Sequence, residues 1–353
     1  MAKYLKLLLW PFSLLYGGVT GLRNILYNKG ILKSTAYDMP VLAVGNLTVG
    51  GTGKTPHVEY LLRLLHKYKI ATLSRGYKRQ TTGFILADAT STAAQLGDEP
   101  YQYHLDFADV AVAVCEKRVE GVDKLKASVQ DLEVVVLDDA MQHRAIRPSL
   151  MIMLTDYGRP FFRDFILPAG LLRESRQGSK RADVVVVSKC PQKLSQTERE
   201  KYVSNISKYT LPGTPVFFST FDYGKPVSVG VTDLVYKNIV LLTGIANPEP
   251  MRDYLQQQGY TIVKAYTFPD HHTYATDDLL EVKDFVSKYK GKDISIITTS
   301  KDAVKLTAPD LATISKQLPL FYLPIEVSFL EHAEKFNSII SEHVNQKLAL
   351  KQI

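Results

Sequence analysis

Residues 48–55 place three glycines and a Gly-Lys-Thr ending between an apolar run and an amphipathic one. That order constrains the fold more than any other feature of the chain. Pro40-Val41-Leu42-Ala43-Val44 is short, β-rich and apolar, as a strand covered on both faces must be, and Val58, Leu61, Leu62 and Leu65 then recur at helical spacing. Pro56 falls in the first helical turn, where its missing N–H costs nothing. A strand, a glycine-rich turn and a helix in this order make a phosphate cradle. The backbone folds tightly with its N–H groups inward, the helix N-terminus adds positive potential, Lys54 reaches the β- and γ-phosphates, and the Thr55 hydroxyl suits Mg²⁺. The expected nucleotide-binding residues are Thr48, Val49, Gly50, Gly51, Thr52, Gly53, Lys54 and Thr55, with Thr48 standing where the strict pattern has glycine.

At 353 residues the chain exceeds what one hydrophobic core organises, so two domains are expected. A formal charge of +7 suits an anionic partner. No DNA- or RNA-reading motif is present, so nucleic acid is not the expected partner, and no feature calls for an obligate protein partner. Cys115 and Cys190 offer neither metal spacing nor a disulfide framework, which fits a reducing compartment.

The N-terminal residues 7–22 carry no charge, include Trp10, Phe12 and Tyr16, and are flanked by Lys3, Lys6, Arg23 and Lys29. The run is shorter than a membrane span and is interrupted by Pro11, Gly17, Gly18 and Gly21. A secretory signal would separate the cradle from ATP. Two readings stay open: a segment over 1–34 lying in the membrane interface, or a helix packed on the protein.

From residue 35 to 222 apolar runs at 41–44, 70–73, 83–87, 110–114, 134–137, 150–154, 184–187 and 216–219 alternate with amphipathic stretches, which predicts a parallel sheet covered by helices. A turn-rich boundary at 221–226 precedes a smaller α/β domain over 235–345, with strands at 239–242, 261–265, 294–297 and 320–323. Residues 346–353 are expected to fray. The fold class is thus α/β, a P-loop NTPase-like parallel sheet domain with a second, smaller α/β domain.

Several clusters could carry chemistry. Val134-Val135-Val136-Leu137 ends in Asp138 and Asp139, the carboxylates that P-loop proteins use near Mg²⁺ and phosphate. Gln142 and His143 follow closely. Gly97-Asp98-Glu99-Pro100 opens a helix; its acids either cap that helix or, for Asp98, accept a proton from a hydroxyl. His271 and His272 lie in a loop after a strand of the second domain. Arg75 and the Arg173-Glu174 pair follow apolar runs and suit a substrate phosphate or sugar, or a solvated surface.

Together these pieces resemble the tetraacyldisaccharide 4'-kinase family of Gram-negative bacteria. The matching stretches are 44–56, 73–77, 97–100, Asp138-Asp139 with Gln142-His143, 167–170 with Arg173-Glu174, 244–248 and 269–271, while Ala140, Leu171 and Ser300 depart from the pattern. The resemblance implies an ATP-dependent lipid kinase in lipid A biosynthesis that phosphorylates the 4'-hydroxyl of an acylated glucosamine disaccharide phosphate. It places the enzyme at the cytoplasmic face of the inner membrane, peripheral or monotopic through the N-terminal segment. By analogy Asp98 takes the hydroxyl proton with His271 as its relay, Lys54 neutralises charge, and Thr55, Asp138 and Asp139 arrange Mg²⁺. Arg75, Glu99, Gln142, His143, Arg173 and Glu174 would meet the substrate. The alternatives are a membrane-positioning P-loop ATPase, whose hallmark lysine is Val49 here, and a soluble small-molecule kinase.

Overall fold

The structure is a computed structural model that describes residues 2–270, 272–289 and 293–351. The apolar N-terminal run forms α1 (Ala2–Asn28), which continues through Pro11. β1 (Val41–Asn46), buried along its whole length, leads through the glycine turn into α2 (Lys54–Leu64). Alternation continues with β2 (Ile70–Ser74), β3 (Ile85–Leu86), α3 (Ala93–Leu96), α4 (Asp98–Asp106), β4 (Ala111–Val114), α5 (Arg118–Ser128) and β5 (Val134–Asp138). It then runs through β6 (Leu150–Asp156), β7 (Val184–Ser188), α6 (Gln196–Ser207) and β8 (Val216–Tyr223). The smaller unit contributes β9 (Val227–Ser228), β10 (Asn238–Thr243), α7 (Glu249–Gln257), β11 (Thr261–Thr267), α8 (Thr276–Lys288), β12 (Ile294–Thr299), α9 (Ser300–Leu306), α10 (Ala312–Ser315) and β13 (Leu320–Leu323). β14 (Ile325–Phe329) and α11 (Ala333–Lys351) close the chain.

The larger sheet has the order β14-β8-β7-β6-β1-β5-β2-β4-β3, parallel except at its two edges. Successive β1 residues face opposite sides. Leu42 and Val44 pack with Val58, Leu61 and Leu62 of α2 and with Phe336, Ile340 and Val344 of α11. Val41 and Ala43 join Val122 and Leu125 of α5 on the other face. Because the chain leaves β1 toward β2 on one side and later adds β6 on the other, the carboxyl end of β1 lies at the crevice where open α/β sheets hold ligands.

The smaller sheet, β11-β10-β12-β13-β9, is parallel apart from β9. Two strand pairs link the units: the chain leaves through β8 and β9 and returns through β13 and β14, where the Gly224 N–H donates to the Pro324 carbonyl at 2.9 Å. The smaller unit therefore ends at β13. The expected extent of 235–345 overshoots, because only Pro324 separates β13 from β14, and β14 pairs antiparallel with β8 in the larger sheet. The expected strand at 83–87 shrinks to Ile85–Leu86, an edge piece with β4 as its neighbour and a left-handed Gly83 (φ 78°) before it. The tail is helical to Lys351, since Val344 and Leu348 pack on the core.

Candidate active site

The turn from β1 to α2 is shaped by backbone conformations open to glycine. Gly50 (φ 99°) and Gly53 (φ 81°) are left-handed, and a Cβ on Gly53 would lie 2.5 Å from Cζ of Phe221. Neighbouring strand ends hold the turn from outside. The Ser188 hydroxyl donates to the Thr52 carbonyl at 2.8 Å, Lys189 donates to the Gly51 carbonyl and sits 3.0 Å from Asp156, and the Val49 N–H donates to the Leu171 carbonyl at 2.8 Å. Thr48 is buried, its Oγ1 accepting from the Asn46 amide at 3.3 Å. Behind the turn, His57 is buried with one ring nitrogen 2.7 Å from the Gly53 carbonyl and the other 3.0 Å from the Ser219 hydroxyl. Burial lowers its pKa to about 4, so it is neutral at pH 7.

Lys54 opens α2 with Nζ 3.7 Å from Oδ1 of Asp139. Arg173 grips the same carboxylate with two hydrogen bonds, 2.7 and 3.0 Å, and also donates to the Asn46 side chain. Asp138 and Asp139 are adjacent but electrostatically opposite. Burial, reinforced by Glu99, pushes Asp138 up to about 7. Burial also acts on Asp139, but Lys54 and Arg173 outweigh it and hold that carboxylate below the usual range. Asp138 Oδ2 accepts from the Tyr103 hydroxyl at 3.4 Å, Oδ1 has no hydrogen-bond partner, and Thr55 hydrogen-bonds Tyr103. An orphaned buried carboxylate oxygen beside a threonine hydroxyl and a phosphate loop has the donor chemistry of a Mg²⁺ site completed by phosphate oxygens. Among the described residues no group of three or more His, Cys, Asp and Glu could hold a metal by itself.

Asp98 and Glu99 form the first turn of α4, whose N-cap is Gly97. Asp98 Oδ2 lies 3.3 Å from Nζ of Lys305 on α9, so the smaller unit reaches this acid. Arg75 is exposed at the end of β2 and lies within electrostatic reach of Arg118 and His143. Burial, then Arg118, lowers His143 to about 4. His271 lies outside the described residues. Its neighbour His272 bonds Asp278 at 2.9 Å and stacks on Phe268 with ring centroids 4.3 Å apart.

Two residues expected to meet substrate make internal contacts. Glu174 is 3% exposed and accepts from Asn24 (2.7 Å), Gln142 (3.0 Å) and Arg181 (2.6 Å). Gln142 also donates to the Asn46 carbonyl at 2.9 Å. These contacts make the pair a brace between α1 and the phosphate loop, while the Gln142 Oε1 has no hydrogen-bond partner. The same side of α1 is held by Ser13, whose hydroxyl accepts from the Ala169 N–H at 3.0 Å, and by Tyr16, which donates to the Arg173 carbonyl at 3.1 Å. Ser13, Gly17, Thr20 and Asn24 follow helical spacing, so the small and polar stripe of α1 faces the protein, while Phe12, Leu14, Leu15, Val19, Leu22 and Ile25 are exposed. Among the described residues no helix is long and apolar enough to cross a membrane.

Sequence reading missed Tyr103, Arg118, Lys189 and Lys305. Arg118 is buried and donates to the Asp138 carbonyl at 3.2 Å and the Cys115 carbonyl at 2.5 Å. Its place just beyond the carboxyl end of β4 was the available signal, as was the one-turn spacing from Glu99 to Tyr103.

Known proteins match this arrangement over nearly the whole chain. The family profile for Tetraacyldisaccharide-1-P 4'-kinase, LpxK, spans residues 5–345. A Flavobacterium johnsoniae protein named tetraacyldisaccharide 4'-kinase is 44% identical over 351 residues, covering 98% of each chain. A Bacteroides thetaiotaomicron protein of the same name is 41% identical over 357 residues, covering 96% of this chain and 93% of its own. The crystal structure of the Aquifex aeolicus LpxK in complex with ATP aligns with a TM-score of 0.75 at 29% identity, over 96% of this chain and 99% of that one. The chain belongs to the tetraacyldisaccharide 4'-kinase family.

Proposed function

We propose that this chain transfers the γ-phosphate of ATP to the 4'-hydroxyl of an acylated glucosamine disaccharide 1-phosphate. The observation that carries this reading is the convergence of Lys54, Asp138, Asp139 and Glu99 at the carboxyl ends of β1 and β5, in a member of this kinase family. Residues 48–55 cradle the phosphates through backbone N–H groups, and Lys54 offsets the charge that develops on the transferred group. Asp98 accepts the hydroxyl proton, assisted by His271 from the smaller unit. Arg75 and His143 face the sugar or its phosphate, and Glu99 keeps its place beside Asp138.

Thr55 and Asp138 fit Mg²⁺, with Asp139 beside them. Asp138 is the better direct ligand because Asp139 is already engaged by Arg173 and Lys54. When bound, the ion would supply positive charge that offsets the phosphates' negative charge. The protein's own share is positioning: Arg173 fixes Asp139, Tyr103 fixes Thr55 and Asp138, and Glu174 with Gln142 braces the loop from behind.

The exposed apolar face of α1 supports attachment to the cytoplasmic face of the inner membrane, where acyl chains would anchor the substrate. Liposome flotation tests this: native protein floats with anionic vesicles, and Leu15→Glu/Val19→Glu/Leu22→Glu releases it while leaving the internal contacts of Ser13 and Asn24. Unchanged flotation would remove the interfacial role.

The activity itself is tested by transfer of labelled phosphate from Mg²⁺-ATP to the tetraacyl disaccharide 1-phosphate in detergent micelles. Label on the 4'-position supports the reading. ATP hydrolysis stimulated by bare vesicles, with no labelled lipid, would favour a membrane-positioning ATPase.

A further inference from the structure

We propose that Lys305 is a positioning residue for phosphoryl transfer, reaching from the smaller unit to hold the Asp98 carboxylate and the backbone of the histidine loop in one arrangement. This rests on the reading of Asp98 as proton acceptor.

Lys305 sits on the last turn of α9, which packs against α4, and its side chain is 11% exposed. Its ammonium meets the Asp98 carboxylate and the His272 carbonyl closely, with an oxygen of the buried Asp302 farther off. Nζ lies 3.3 Å from Asp98 Oδ2, donates to the His272 carbonyl at 3.0 Å, and stands 4.0 Å from Asp302 Oδ1. Asp302 is rigid: fully buried, it accepts from the Gly244 N–H at 2.9 Å and the Thr299 hydroxyl at 2.8 Å. One helical turn before Lys305, Lys301 lies 3.3 Å from Asp270, so α9 meets the histidine loop at Asp270 and again at His272.

This geometry has a chemical consequence. A carboxylate that accepts a proton in the transition state must present one oxygen within hydrogen-bond distance of the hydroxyl. The Asp98 side chain is at the start of a helix and partly open to solvent, and the direction its carboxylate faces is set by the groups around it, Lys305 among them. An ammonium held by the His272 carbonyl, with the buried Asp302 carboxylate nearby, fixes the position of the Asp98 oxygen it meets. Lys305 acts through Asp98 and touches no reacting atom, so its loss should lower turnover while leaving the nucleotide cradle intact.

The test compares steady-state kinetics, ATP affinity and thermal stability of Lys305→Met, Lys305→Arg, Asp98→Asn and the Asp98→Asn/Lys305→Met double variant. Lys305→Met should lower kcat by about 10- to 100-fold, the range for a misplaced catalytic group. Its KM for ATP should stay within about threefold of native. Lys305→Arg should recover most of the loss, and the double variant should be no slower than Asp98→Asn alone, as expected of two residues acting as one unit. Should the methionine variant not fold, Lys305→Gln, which can still donate to the His272 carbonyl, carries the same comparison. Native-like kcat in Lys305→Met beside an inactive Asp98→Asn would overturn the positioning role and leave Asp98 as the base. Full turnover in Asp98→Asn would overturn both. Equal losses of stability and kcat in the Met and Arg variants would mark Lys305 as merely structural, which also overturns the proposal.

Discussion

The two flanks of the site are built differently. On the larger unit, the phosphate loop is held at its own peptide groups from several directions: the Ser188 hydroxyl, the Lys189 ammonium and the Leu171 carbonyl bond them, and the buried His57 ring bonds the Gly53 carbonyl beneath. On the smaller unit, the side chain of Lys305 on α9 reaches across to Asp98 of α4. The first flank is a surface shaped before any ligand arrives, because its main-chain groups are held by side chains and backbone at neighbouring strand ends. The second depends on long side chains crossing between units, whose placement costs rotamer entropy and follows the relation of the two sheets. Nucleotide grip and proton acceptance should therefore be separable by mutation.

That comparison can be broken or sharpened in graded steps. Lys54→Met, which removes the charge proposed to offset that of the transferred group, should cut turnover by about two to three orders of magnitude in the phosphate-transfer assay. Arg173→Ala frees Asp139 and the Asn46 side chain and should cost about tenfold to a hundredfold in kcat/KM, with ATP affinity falling alongside, since both partners belong to the loop flank. Gly53→Ala should destabilise the fold by about 1–3 kcal/mol in denaturant titrations, because φ 81° and the Phe221 ring oppose a Cβ. The smallest effect concerns Glu59, whose carboxyl accepts from Gln102 at 2.7 Å. Burial pushes it up to about 8 from its ordinary 4.5, so between those pH values the folded protein keeps a proton that the unfolded chain has released. Stability contributed by this group is full below about 4.5 and falls as pH rises toward about 8. Glu59→Gln should flatten that decline and raise Tm at pH 8 by a few degrees, with no matching gain at pH 5.

Much of the loop flank was legible in the sequence because its signals are local. A buried strand, two left-handed glycines, Gly-Lys-Thr and a helix lie within a few residues of one another, and Asp138-Asp139 end a strand whose apolar pattern is continuous. The acid pair at 98–99 was legible for the same reason, sitting in a helix's first turn. What escaped was set by distance in sequence. Lys305 meets Asp98 across a separation of 207 positions in the chain, and no local spacing announces it. Glu174 shows the converse error: an Arg-Glu pair suggests two outward charges, yet successive residues can point to opposite sides, and here Arg173 faces Asp139 while Glu174 turns to Asn24 and Arg181. The return of β14 to the larger sheet was hidden because Pro324 alone marks the passage between two strands of different sheets.

The most direct measurement is ATP affinity and single-turnover phosphate transfer in the same preparation of Asp98→Asn. The division of labour between the two flanks predicts ATP binding like native with transfer slowed by about two to four orders of magnitude, the range for loss of a general base. A parallel loss of ATP affinity would place Asp98 in the nucleotide cradle and contradict the separation.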